Sequence, residues 1–173
     1  MADKEAVPVE GTDIDVNIWT MPAVFVLETR MPDGMVEDLN TYLDDLREQA
    51  DKESLAHSLV GQIAHGEQLN MDPEHEKVRQ YSKFVTLLGA QYINHFMKST
   101  GQSLPKNRQV SIDETWSVHS YAGDYNPIHD HGTKTIMGIS TTCWTKVPQQ
   151  ILDQPAAGSP LYNKYEASGA CDG

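Results

Sequence analysis

Cysteine is scarce in this chain: Cys143 and Cys171 are the only two in 173 residues, and no Cys-x-x-Cys pair occurs. That excludes a disulfide framework and a cysteine-built zinc knuckle, and it points to a reducing compartment. Cationic residues are also few. Lys and Arg total 13 against 25 Asp and Glu, a formal net charge of −12, which repels phosphate backbones and anionic membranes and disfavours nucleic acid as a partner. No apolar run approaches the roughly 20 residues that cross a bilayer, and the opening Met-Ala-Asp-Lys-Glu lacks the hydrophobic segment of a signal peptide. The expectation is a soluble, cytoplasmic protein with no membrane partner. No internal repeat is visible, and the length suits one domain able to bury its own core.

What is present divides the chain by period. Residues 1–12 are polar and broken by Pro8 and Gly11, which predicts a flexible arm, and 13–173 reads as a single domain. Ile14, Val16 and Ile18 alternate and Val24–Leu27 is a short apolar run, which predicts two short strands. Val36, Leu39, Leu43 and Leu46 recur at three and four, predicting a helix from about Pro32 to Ala50 whose charged face is solvated. From Asp51 to Met71 no period is sustained; a loop is expected, with one short extended piece at Leu59–Ile63 and surface positions for His57 and His65. Val78, Tyr81, Val85, Leu88 and Tyr92, widened by Phe84, Leu87 and Phe96, predict a second helix from about Pro73 to Ser99, stopped at Gly101. His95 reads as a packing or capping residue of that helix. The segments 13–101 thus form strands and helices, 108–148 the start of a β-core, and 149–173 a loop-like tail.

Within the β-core, Ile112, Glu114, Trp116, Val118 and Ser120 alternate with Thr115, Ser117, His119 and Tyr121, predicting a strand. Trp116 reads as a core residue or as a pocket wall. Gly123 and Asn126-Pro127 then mark a turn. Beyond it stand His129 and His131, and the β-branched stretch from Thr135 to Val147 predicts a further strand ending at Pro148. Residues two apart on a strand share a face, so His129 and His131 can grip one ion; imidazole suits Fe, Zn, Cu and Ni. The same spacing also arises by accident, as a solvated pair.

Trp116, the run Gly-Asp-Tyr-Asn-Pro-Ile-His-Asp-His-Gly from Gly123 to Gly132, and Lys-Val-Pro ending at Pro148 together resemble the core signature of the 2-oxoglutarate and Fe(II)-dependent oxygenases of phage and marine bacterial type. The likeness is specific there and weaker from Trp19 to Gly101. It implies an α+β fold: a double-stranded β-helix (jelly-roll) core with two N-terminal helices packed on the sheet. It also implies Fe(II) and 2-oxoglutarate as cofactors, with ascorbate as an optional reductant, and oxidation of an unidentified substrate coupled to decarboxylation of 2-oxoglutarate. His129 and His131 would be the metal ligands. The general pattern of that superfamily carries Asp where His131 stands, which leaves the carboxylate ligand open between Asp130, set on the opposite strand face, and Asp124 in the preceding turn. Tyr121, Tyr125, Asn126 and Lys146 are the candidates for the cosubstrate pocket.

The chain also departs from that family. No histidine follows His131 and no arginine follows Arg108, so Lys134, Lys146 and Lys164 are the only cations left downstream to meet the far carboxylate of 2-oxoglutarate. About four or five strands can be counted where a double-stranded β-helix needs eight. The expectation is therefore an incomplete jelly-roll core, the amino-terminal portion of an oxygenase, whose open sheet edge favours self-association. The alternative is a non-enzymatic jelly-roll structural or interaction protein with a vestigial or adventitious metal site. A zinc hydrolase would need a third ligand and a general base that the sequence does not supply.

Overall fold

The computed structural model describes residues 3–8, 15–21, 24–59, 61, 63–103, 109–127, 129 and 138–153. The chain divides into two units, Met1–Ser140 and Thr141–Gly173. In the first, strands β1 (Asp3–Pro8), β2 (Asp15–Met21) and β3 (Val24–Thr29) form an antiparallel sheet in the order β1-β2-β3. β2 pairs with β1 from Thr20 opposite Asp3 to Asp15 opposite Pro8, and with β3 from Val16 opposite Thr29 to Met21 opposite Val24. The alternation of apolar residues in β2 does what a half-buried strand requires: Val16 and Ile18 are fully buried and pack with Leu27 and Leu88. Asp3–Pro8, expected as part of an arm, is instead a strand, its backbone groups taken up by β2. Polar composition hides such a strand, because its stabilisation comes from the ladder it joins.

Helix α1 (Asp33–Glu48) begins where Pro32 fixes the backbone and offers its carbonyl to the amides of Met35 and Val36 at 3.0 and 3.1 Å. Its apolar stripe is the predicted one, with Leu39 and Leu43 buried and Val36 and Leu46 half-buried. Helix α2 (Glu76–Ser99) is capped by the His75 ring, whose Nδ1 accepts from the Lys77 amide at 3.3 Å. It closes in a Schellman arrangement: Gly101 is left-handed (φ 68°), its amide bonds the Lys98 carbonyl, and the Gln102 amide reaches Met97 at 2.9 Å.

α2 serves two cores in succession. Its first half, through Val78, Tyr81 and Phe84, meets Met31, Leu39, Tyr42, Leu43 and Met71. The Tyr42 hydroxyl accepts from the Asp72 amide at 2.8 Å, and the Tyr42 ring lies 4.5 Å from that of His75, so the helix entrance is tied to α1. Its second half covers the sheet: Leu88 packs on Val16 and Ile18, and Phe96 stands edge-on to Phe25 at 5.2 Å. Tyr92 donates its hydroxyl to the Phe25 carbonyl at 2.9 Å. His95 stands edge-on to Phe25 at 6.0 Å, the packing role expected of it. Leu87, assigned to the apolar face from its spacing, is exposed instead.

A second, two-stranded sheet joins β4 (Glu67–Asn70) to β5 (Trp116–His119) antiparallel, with Glu67 opposite His119 and Asn70 opposite Trp116. β4 lies where a loop was expected. Its one apolar side chain, Leu69, is buried, and its partner strand is far along the chain, so no local period announces it. The extended piece expected at Leu59–Ile63 is not a strand at the described positions; a 3₁₀ turn at Ala56–Ser58 precedes it, and residues 60 and 62 lie outside the described residues. β5 is shorter than its alternating sequence suggests, and it turns Ser117 inward while Trp116 and Val118 face out.

From Gly138 to Val147 there is no strand, although β-branched residues predicted one. Such residues favour a pleated conformation only where a neighbouring strand supplies the ladder, and among the described residues none pairs here. In the second unit, α3 (Gln149–Leu152) forms a single turn on the Pro148 carbonyl within the expected loop-like tail, and Trp144, Ile151 and Leu152 are exposed. The five described strands make two small antiparallel sheets, an α+β arrangement in which no jelly roll is assembled among the described residues. No helix is long and apolar enough to cross a membrane among the described residues.

Candidate metal centre

The chain reaches the histidine stretch through β5 and a tight turn. In β5 the buried Ser117 hydroxyl lies 3.0 Å from His119 Nε2 and 3.5 Å from the Leu69 carbonyl, which anchors the inner face of the strand. After Ser120, Tyr121 to Asp124 form a turn closed by the Asp124 amide on the Tyr121 carbonyl at 3.0 Å. Gly123 takes φ 94°, a conformation that a side chain would strain.

Asp124 holds this turn and a second segment together. Its Oδ2 accepts from the Tyr121 amide at 2.8 Å, while Oδ1 accepts from the amides of Ala64 at 2.8 Å and His65 at 3.2 Å. The Tyr121 amide, followed by those of Ala64 and His65 and by the His65 ring, holds the Asp124 carboxyl below the usual carboxylate range. Two glycines let the 61–66 segment come close enough for these bonds. A Cβ on Gly66 would collide with the His119 carbonyl and lie 2.7 Å from Asp124 Oδ2, and one on Gly61 would collide with the Tyr125 carbonyl and lie 2.6 Å from Asn126 Cα.

Of the predicted ligands, His129 is exposed and Nδ1 lies 2.8 Å from the Pro127 carbonyl. A carbonyl accepts only, so the proton sits on Nδ1 and the lone pair of the neutral ring is on Nε2, the tautomer in which metal-bound histidines are usually held by an outer partner. His131 and Asp130 lie outside the described residues. Asp124, the other carboxylate candidate, has both oxygens engaged by backbone amides. Among the described residues no three His, Cys, Asp or Glu side chains gather as a metal-holding group. Of the predicted ligand pair, the described residues therefore place His129 alone, with its proton on the nitrogen that faces the Pro127 carbonyl.

Of the cosubstrate candidates, Tyr121, Tyr125 (64% exposed) and Asn126 line the outside of the turn. Lys146 is exposed in the second unit. Trp116, read as core or wall, is 36% exposed on the outer face of β5.

A polar cluster that spacing did not announce lies beside Tyr121. Arg47, at the end of α1, donates to the Tyr121 hydroxyl and approaches Glu67 at 3.6 Å. Lys52 meets Glu67 at 2.8 Å and donates to the Arg47 carbonyl as well. Hydrogen bonding from Lys52 first, and Arg47 after it, holds the Glu67 carboxyl below its usual range against partial burial. The cluster binds α1 and the 49–55 connection to β4 and to the turn. Its signal in the sequence was Arg47 within an acidic helix face, a position that periodicity counts as solvated. Leu46, Lys52, Glu53, Leu55, Leu69 and Asn70 line a shallow cavity of about 210 Å³ next to it.

Comparison of the chain with protein-family models, with curated proteins and with solved structures finds no match.

Proposed function

We propose that His129 and His131 bind Fe(II), and that the chain belongs with the 2-oxoglutarate-dependent oxygenases, oxidising a substrate other than nucleic acid. The observation that carries this reading is the His129 ring, exposed at the far side of a braced turn with Nδ1 committed to the Pro127 carbonyl. Ferrous iron with 2-oxoglutarate supplies oxidation of a C–H bond coupled to decarboxylation. The protein's own part is to hold the imidazoles and orient the ligands. In this reading Nε2 of His129 and the His131 imidazole are the metal donors, and Tyr121, Tyr125 and Asn126 supply hydroxyl and amide groups at the edge of the turn. The negative net charge of the chain supports a neutral or cationic substrate over a polyanion.

The test is succinate formation from 2-oxoglutarate under air with added Fe(II), compared among the wild-type chain, His129→Ala and His131→Ala. Iron-dependent succinate lost in both variants supports the oxygenase reading. Metal binding without any succinate supports the alternative, a non-enzymatic protein with a metal clip, a reading favoured by the engagement of both Asp124 oxygens with backbone amides.

A further inference from the structure

The sequence presents Asp124 as a possible ligand, and its surroundings give it a different task. We infer that Asp124 is a positioning residue for His129: it clips the backbone of Ala64 and His65 onto the turn that precedes His129 and so sets where that imidazole emerges. This rests on the metal reading above.

Three backbone donors from two segments converge on one carboxylate, Tyr121 on Oδ2 and Ala64 and His65 on Oδ1. A carboxylate that accepts from several amides is a strong, charge-assisted anchor. The contact does not end at the turn. Gly66 lies against the His119 carbonyl and Asp124, and Gly61 against the backbone of Tyr125 and Asn126, so the chain is backed by this segment from the end of β5 to Asn126. Pro127 follows, and its carbonyl holds Nδ1 of His129. The clip, the two glycine contacts and the Pro127 carbonyl therefore act in sequence on one stretch of backbone. An imidazole held in place before the ion arrives binds more tightly, because ordering it afterwards costs conformational entropy.

The experiment titrates the full chain with Co(II), read by its visible absorption, for the wild type, Asp124→Asn, Gly66→Ala and His129→Ala. Amide exchange at Ala64, His65 and Tyr121 is measured in the metal-free proteins. Asp124→Asn keeps the shape but turns an amide N–H toward a backbone N–H, while Gly66→Ala keeps the carboxylate and pushes the segment away from it. Expected are unchanged band positions, affinity about tenfold weaker in both variants, and faster exchange at the three amides; His129→Ala alters or abolishes the bands. Faster exchange with wild-type affinity would overturn the positioning role, and so would a band change in Asp124→Asn of the kind His129→Ala gives, which would make Asp124 a ligand. A wild-type chain with no Co(II) bands overturns the metal reading itself, and the positioning role with it; the wild-type curve alone separates that failure from the others.

Discussion

Glu67 sits between Lys52 at 2.8 Å and Arg47 at 3.6 Å, and its carboxyl is held below the usual range by them. A carboxylate whose pKa is lower in the folded than in the unfolded state adds stability that is present above the unfolded value, about 4.3 for glutamate, and is lost as pH falls through the folded value. Thermal unfolding of wild type and Glu67→Gln should therefore differ at neutral pH, with the gap closing on acidification below about pH 4. Lys52→Met should cost about 1 kcal/mol at neutral pH, the scale of a half-exposed pair, measured by denaturant unfolding. An equal gap at every pH would show that the pair contributes through packing and not through charge. Little of this could be read from the sequence. Arg47 has the composition of a solvated helix face, and Asp124 that of an ordinary turn aspartate; partners 74 and 60 residues away in the chain define their roles.

Among the elements, α2 is the one on which both cores depend, and its two halves can be separated. Val78→Ala opens a hole against Leu39, Leu43 and Met71 and should cost about 2 kcal/mol. Tyr92→Phe removes the hydrogen bond to the Phe25 carbonyl and should cost about 1 kcal/mol. The first change should act on the α1–α2 core, and amide exchange should speed up in α1 before β2; the second should speed it up in β3 while α1 is spared. Gly101→Ala, at φ 68°, should cost about 1 kcal/mol with native binding properties, a loss read from the melting temperature. Both helices were legible because a 3.6-residue period is local and long enough to accumulate. β1 and β4 were not. Asp3–Pro8 is polar and Glu67–Asn70 has a single apolar residue, and each exists as a strand through a partner that no local pattern reveals. The reverse failure occurs at Gly138–Val147, where β-branched composition met no partner strand.

At the scale of the molecule, the first unit is a helix-covered sheet with a second, smaller ladder that carries the chain to the histidine turn. The turn is braced twice, by Asp124 from the 61–66 segment and by Arg47 through the Tyr121 hydroxyl. The sequence marked the place, because Gly123, Asn126-Pro127 and the His129-x-His131 spacing are local signals. It could not mark the bracing, which is long-range: Asp124 has the sequence context of an ordinary turn aspartate, and the amides of Ala64 and His65 that it accepts from lie far back in the chain. The proposed function requires that His129 and His131 hold iron. Anaerobic titration of the full chain with Fe(II), beside a variant carrying both His129→Ala and His131→Ala, tests it most directly. Expected is about one ferrous ion per chain in the wild type and none in the double variant; equal uptake by the two proteins, or none by either, would overturn the iron reading.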